Sequence, residues 1–352
     1  MRIIVLGAGR VGAAMARDLS LDETFEVSVA DRDPSRLSWL ESTFGISGER
    51  FDASVVSTVG RAIADADLVV SAVPGFLGHQ TLQAILETGK PVVDIAFFPE
   101  DPFTLDALAK DSGATAIVDC GVAPGLSNLL VGHAAQALDR ADRVEIYVGG
   151  LPADPKPPYE YRAVFSPIDV IEEYTRPARF IRDGQLVTEP ALTDIEHLDF
   201  PDVGTLEAFN TDGLRTLMHT IDCPQMIEKT LRYPGHAEKM RLLRETGFFS
   251  EQAIEIDGRE IRPIDLSTAL LFPLWQLQEG EEDITVLRVI VEGEKDGERV
   301  CRTFDLIDRL DQTSNVTSMA RTTGYMATVA ARLLASGNIS TTGVLADRKS
   351  VV

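Results

Sequence analysis

The sequence predicts an α/β protein, a doubly wound parallel sheet joined to a second, α+β domain, on three observations. The chain opens on a short apolar run, Arg2-Ile3-Ile4-Val5-Leu6, that passes directly into Gly7-Ala8-Gly9-Arg10-Val11-Gly12 and an alanine-rich helical stretch, Ala13–Leu19. As far as about Gly121, β-rich runs alternate with helical segments. Beyond Gly150 the texture changes to hairpins and helices without that alternation. Strands alternating with helices of this length read as right-handed βαβ crossovers and a parallel sheet.

The first strand, turn and helix carry G-x-G-x-x-G in the context a dinucleotide fingerprint requires. Gly7 permits the tight turn, Gly9 lets the backbone approach a pyrophosphate, and Gly12 lets the helix lie close to the strand. Arg10 and Val11 open the helix, whose free N–H groups and dipole favour a phosphate. The second strand, Glu26–Ala30, ends at Asp31, placed to accept bonds from both ribose hydroxyls and to repel a 2′-phosphate. The expected cofactor is therefore NAD rather than NADP; Arg32, next in the chain, is the one feature against that preference. Asp33 caps a helix over Pro34–Phe44, with Pro34 at its first position. Later strands fall at Leu68–Ala72, Pro91–Ile95 and Ala116–Val118, and helices at His79–Glu87 and Thr104–Asp111, stopped by Gly89 and Gly113. Small residues after the Leu68 strand, Ala72-Val73-Pro74, leave room for a cofactor.

A helix from near Pro124 leads into the second domain. Leu151–Pro158, rich in proline, reads as a mobile connection. Arg182-Asp183-Gly184 and Lys295-Asp296-Gly297 read as hairpin turns, the latter between Thr285–Glu292 and Arg299–Leu306. Such strands suit edge pairing between subunits, so a homodimer at least is expected. Ser318–Leu334 reads as a helix returning to the first domain. The expected division is 1–123, 124–317 and 318–352.

The chain has 352 residues and a net charge of −22, which opposes binding to nucleic acid or anionic membranes and suits a cationic substrate. Acids spread along the chain also simply solubilise it. No apolar run is long enough to span a bilayer and no leader is evident, so a cytoplasmic location is expected. Three scattered cysteines without C-x-x-C point to reduced thiols and to no metal site.

Four clusters bear candidate chemistry. Asp94 and Asp119-Cys120-Gly121 follow parallel strands, on the sheet edge that faces ligands in open α/β folds. Asp94 reads as a base, an orienting group or a helix cap, and Cys120 as a weak acid or base or a small buried residue. Tyr159, Glu160, Tyr161 and Arg162 read either as a grip on a substrate or as an interface strand ending at a helix with Ser166 and Pro167. Asp212 and Arg215 lie in a polar quartet leading into a helix. Arg215, placed just inside that helix, hints at an anionic partner because a cation gains nothing from the dipole there. Arg232 and Tyr233 end a strand at a Pro-Gly turn, and His236 opens the next helix as the best general-base candidate of five histidines. His79, His133 and His219 fall within helices and His197 in a polar connection. No Ser-His-Asp order, P-loop or metal spacing occurs, so the chemistry has to come from the cofactor.

Together Gly7–Gly12, Asp119–Asn128, Glu207–Leu217, Lys229–Lys239 and Ser318–Tyr325 resemble the saccharopine dehydrogenase superfamily, and within it the short lysine 6-dehydrogenase branch. The resemblance implies a Rossmann domain, an α/β substrate domain and oxidation by a pyridine nucleotide at an amine-bearing carbon. It also implies an Asp and a Cys near the nicotinamide, matched by Asp94 and Cys120. The expected reaction is deamination of the L-lysine ε-amine, with saccharopine oxidation and a non-catalytic NAD sensor as alternatives. Arg215 or Arg232 would hold the α-carboxylate, and Glu160 or Asp212 the α-ammonium.

Overall fold

The computed structural model describes residues 1–278 and 280–346. The last six residues of the expected 318–352 segment, and Glu279, lie outside the described residues. The chain forms two compact units: Met1–His133 with the segment from Met319 onward, and Ala134–Ser318.

Unit 1 runs β1 (Arg2–Leu6), α1 (Arg10–Ser20), β2 (Glu26–Asp31), α2 (Pro34–Phe44), β3 (Ser47–Arg50), α3 (Val59–Ala62), β4 (Leu68–Ser71), α4 (Gly75–Leu86), β5 (Val92–Asp94), α5 (Asp106–Ser112), β6 (Thr115–Val118) and α6 (Leu126–Gln136), the last crossing the boundary. Strands β1, β4, β5 and β6 are buried runs of Val, Ile and Leu, as a parallel sheet covered on both faces demands. The sheet order is β17 (Gly343–Ala346)-β6-β5-β4-β1-β2-β3, every pair parallel, so the order reverses between β1 and β4. In open sheets that reversal point opens a ligand crevice at the strands' carboxyl ends.

Unit 2 runs β7 (Arg140–Pro152), α7 (Pro167–Thr175), β8 (Ala178–Arg182), β9 (Gln185–Glu189), β10 (Glu196–Phe200), β11 (Gly204–Asn210), α8 (Leu217–Thr220), β12 (Met226–Arg232), α9 (His236–Thr246), β13 (Ile254–Ile256), β14 (Arg259–Ile261), α10 (Pro263–Trp275), β15 (Asp283–Lys295) and β16 (Glu298–Arg309). Its mixed sheet follows β10-β11-β12-β7-β15-β16, with β8 and β9 attached through β12. Both expected hairpins form, β8–β9 and β15–β16. An aromatic core of Tyr161, Tyr174, Phe209, Phe249 and Trp275 gathers α7, α9 and α10.

The chain then returns to unit 1 through α11 (Ser318–Ala335) and β17 (Gly343–Ala346). Helix α11 lies close on α1, because a Cβ at Gly324 would come within 2.9 Å of Met15 Cγ. Arg332 Nη1 bonds Asp18 Oδ2 at 2.7 Å.

Four local expectations need correction. Helix α6 begins at Leu126 rather than Pro124, because Gly125 at φ +139° closes a tight turn on Gly121 that no helix contains. Arg215 precedes α8 instead of lying inside it. His197 stands on strand β10, paired with Glu207, and not in a connection. Strand β7 extends to Pro152 with Leu151 fully buried, so those two residues belong to the sheet. Among the described residues no helix is long and apolar enough to cross a membrane, and no group of three or more His, Cys, Asp or Glu could hold a metal ion.

Candidate active site

At the carboxyl edge of the parallel sheet the three glycines have separate physical reasons. Gly7 stands at φ +106°, and a Cβ there would meet Ala72 O at 2.6 Å. A Cβ at Gly12 would sit 2.0 Å from Gly7 O, so helix α1 can lie this close to β1 only with glycine. Gly9 is different: no protein atom lies within 4 Å of its Cβ position, at an ordinary φ of −64°. Its bareness serves nothing in the fold. It leaves the backbone open at the start of an eleven-residue helix whose N-terminus has no side-chain cap, which suits a pyrophosphate. Arg10 and Val11 form the helix's first turn.

Asp31 ends β2 beside this loop. Its Oδ2 accepts from Ala8 N–H at 2.5 Å and its Oδ1 from Asp33 N–H at 2.8 Å, so the carboxylate is fixed on the glycine loop. Arg32 is exposed next to it. Ala72, Val73 and Pro74 follow β4, with Pro74 capping α4. The residues present thus fit a dinucleotide from phosphates to ribose.

Asp94 closes β5 and Cys120 lies two residues past β6, its neighbour in the sheet. Cys120 N–H bonds Asp94 O at 3.3 Å, while Asp94 Oδ1 accepts from Ala96 N–H at 3.2 Å. Both side chains are buried. Burial, followed by the charges of Asp119 and Asp94, pushes the Cys120 thiol up to about 12, so it stays protonated. Asp119 adopts φ +52°, turning the chain into the Gly121–Gly125 loop.

Unit 2 engages most of the other candidates internally. Arg162 donates to Glu281 (Nε–Oε2 2.9 Å, Nη2–Oε1 3.2 Å) and to Leu274 O. Glu160 pairs with Lys239, and Arg232 with Glu173, its guanidinium lying 4.7 Å over the Tyr161 ring. Asp212 is clasped by Arg179 (Nε–Oδ1 2.8 Å, Nη2–Oδ2 2.7 Å). Tyr159 and Tyr161 border Trp275 in the aromatic core, in irregular chain and not in a strand. His236 is 1% exposed, with Nε2 2.8 Å from Tyr174 Oη and Nδ1 3.0 Å from Tyr159 O. Burial, then Arg232, drives its pKa down to about 3, and both ring nitrogens are occupied. As a general base it has no free nitrogen in this geometry, and the arrangement is that of a neutral core histidine.

Sequence reasoning passed over Glu228, Glu173, Tyr174 and Trp275. Glu228, Thr230 and Arg232 share one face of β12, a polar set that ordinarily marks a solvent face. Here that face turns inward, and Glu228 is 4% exposed.

The two buried groups set opposite limits on pH stability. Burial raises Glu228 to about 8, so between an unfolded value near 4.5 and that pKa only the folded state holds its proton. Its contribution is full below about 4.5 and is lost as pH climbs toward 8, by about 1.4 kcal/mol per unit. His236 stays neutral when folded, so its contribution is full above about 6.5 and is lost as pH falls toward 3. Thermal melts should therefore show falling stability on both sides of pH 5–6, roughly. The Glu228→Gln variant should flatten the alkaline limb and let the acid limb run on up to about pH 6.5, where the histidine's slope is no longer offset; an unchanged alkaline limb would exclude Glu228 as its cause.

The parallel sheet, glycine loop and carboxyl-edge acids define a Rossmann dinucleotide-binding unit of the oxidoreductase type. Comparison with known proteins narrows this. Residues 3–117 match the saccharopine dehydrogenase NADP binding domain and residues 121–349 the saccharopine dehydrogenase C-terminal domain. The chain belongs to the saccharopine dehydrogenase family. It is 22% identical to the saccharopine dehydrogenase [NADP(+), L-glutamate-forming] of Saccharomyces cerevisiae, over 98% of this chain and 93% of the yeast protein. It is also 22% identical to carboxyaminopropylagmatine dehydrogenase of Synechocystis, over 97% and 91%. It spans 30% of the mouse mitochondrial alpha-aminoadipic semialdehyde synthase, at 24% identity. The solved apo yeast saccharopine dehydrogenase superposes with a TM-score of 0.79, covering 98% of this chain and 93% of that one at 21% identity, and so shares its fold. Family and glycine loop together support a nicotinamide cofactor, and both the matched N-terminal domain and the yeast relative are named for NADP.

Proposed function

We propose that this protein is a nicotinamide-dependent dehydrogenase that oxidises the C–N bond of an amino acid, with a saccharopine-type secondary amine as substrate. The observation that carries the reading is the pairing, on one sheet edge, of an open Gly9 cradle with buried Asp94 and protonated Cys120. The match to the yeast enzyme over 98% of this chain and 93% of that protein moves the preference from lysine toward saccharopine. Lysine remains the second reading, favoured by the net charge of −22, which attracts a cation.

When bound, the dinucleotide accepts a hydride from the carbon bearing nitrogen. The chain supplies the rest. The substrate amine has to be neutral for its lone pair to form the imine, and Asp94 takes that proton. Cys120, held as a thiol, donates a hydrogen bond beside it. Water then adds to the imine carbon, and C–N cleavage returns a proton to the departing amine.

We further infer that NAD is preferred to NADP despite the names of the relatives, because the Asp31 carboxylate is fixed where a 2′-phosphate would approach. Steady-state reduction at mildly alkaline pH, with saccharopine and lysine each against NAD and NADP, tests both halves. Saccharopine turnover with about tenfold or greater kcat/KM for NAD is expected, and Asp31→Ser should narrow the gap by removing a like charge. Turnover of lysine alone would install the second reading. NADP preference in the wild type would overturn the cofactor half only.

A further inference from the structure

Helix α10 is apolar on both of its sides. Ile264, Ser267, Leu271 and Trp275 turn into unit 2 and are buried, which accounts for one side. A helix that is apolar all round is ordinarily covered all round, and a surface helix keeps its outer side polar. Here the outer side carries Leu266, Leu270 and Leu274, each about half exposed and four residues apart along one ridge. Beside that ridge the exposed Ala269 and Pro273 form a shallow groove. The apolar surface runs on past the helix. Phe248 is exposed and adjoins α10 through its carbonyl, which accepts from Ser267 Oγ at 2.6 Å. Ile254, also exposed, pairs with Ile261 just ahead of α10. These five side chains leave open roughly 450 Å², about the apolar share of the ~800 Å² that each partner gives to a standard interface.

We propose that a second copy of this chain covers this face, the two α10 helices packing antiparallel across a two-fold axis at Leu270. The ridge is its own reverse about that residue, as a two-fold contact requires. The axis sets Leu270 against its counterpart and Leu266 against the counterpart of Leu274. Each leucine ridge then fills the Ala269–Pro273 groove of the other copy, the interdigitation of i±4 ridges found in the commonest helix packing. Arg262, exposed beside Asp265 at the start of α10, comes to the C-terminal carbonyls of the other helix, where a cation is favoured. Residues 266–275 hold no charge in a chain of net −22, so the repulsion between two copies is least on this face. The same net charge repels an anionic membrane, the other cover such a ridge could have. The subunit contact is thereby placed on α10 and not on the β15–β16 hairpin.

Sedimentation velocity on the full chain tests this. The wild type should sediment as a dimer. Leu270→Glu, which sets two carboxylates face to face on the axis, should sediment as a monomer at the same concentration. Its dimerisation should be weakened about a hundredfold or more, with an unchanged circular dichroism spectrum because the altered side chain is exposed. In a Cys301→Ser background, Leu270→Cys keeps the position small and apolar, and a short bismaleimide should couple two chains through it. The remaining cysteines, Cys120 and Cys223, are buried. This coupling carries the test if Leu270→Glu does not fold. A monomeric wild type overturns the proposal. So does a dimer that Leu270→Glu leaves intact, or one that stays uncoupled through Leu270→Cys.

Discussion

Replacing Asp94 with asparagine should lower kcat by about 10²–10⁴-fold while leaving dinucleotide affinity unchanged. Asparagine keeps the size of a side chain that is only 1% exposed, and its amide oxygen can still accept from Ala96 N–H, as Asp94 Oδ1 does at 3.2 Å. What it loses is the ability to take a proton from the amine. Cys120 cannot replace that function, because its thiol at about 12 is itself protonated. His236 cannot either, with both ring nitrogens bonded inside unit 2. Fluorescence titration of the reduced dinucleotide separates binding from chemistry. A kcat within about threefold of wild type would remove Asp94 from the mechanism.

The second large effect is a contrast between two glycines three residues apart. Gly12→Ala forces a methyl to 2.0 Å from the Gly7 carbonyl, a backbone atom that cannot rotate away. Unit 1 should lose about 1–3 kcal/mol as α1 lifts off β1, and dinucleotide binding should fall about a hundredfold or more. Gly9→Ala places its methyl in open space at an ordinary φ. Its melting temperature should stay at the wild-type value while dinucleotide affinity drops about tenfold or more, the methyl occupying ground a pyrophosphate needs. Melts and binding titrations on both variants decide the matter. Equal destabilisation by the two would mean that Gly9 has a fold role, and unimpaired binding in Gly9→Ala would refute the cradle.

The Rossmann unit was legible because its signals are local. Gly7–Gly12, the Asp33-Pro34 helix start and the buried runs of β1, β4, β5 and β6 each announce themselves within a few residues. Strand β17 escaped notice because Gly343–Ala346 is four residues long and becomes a strand only by pairing with β6. The position of Asp94 beside Cys120 also followed from local pattern, since both end consecutive parallel strands. In unit 2 residue types were read well and partners badly. Arg162, Arg232, Glu160 and Asp212 looked available for a substrate, but their counter-charges Glu281, Glu173, Lys239 and Arg179 lie 33 to 119 residues away. Charge pairing across such separations leaves no mark on spacing. Glu228 was hidden for the opposite reason, because the polar face it shares with Thr230 and Arg232 on β12 imitates a wet one.

The return of α11 and β17 to the first unit also governs the order in which the protein can be completed during synthesis. Asp18 waits for Arg332, 314 residues later, and Thr115 and Val118 wait for a neighbouring strand at Gly343–Ala346. Residues 134–318 form a contiguous unit, with every strand of its sheet present once Arg309 has emerged. On a ribosome, where contiguous domains fold as they appear, the middle of this chain is thus ready before its beginning. The exposed flank of β6 and the face of α1 stay uncovered until Arg332 and Gly343–Ala346 have been made.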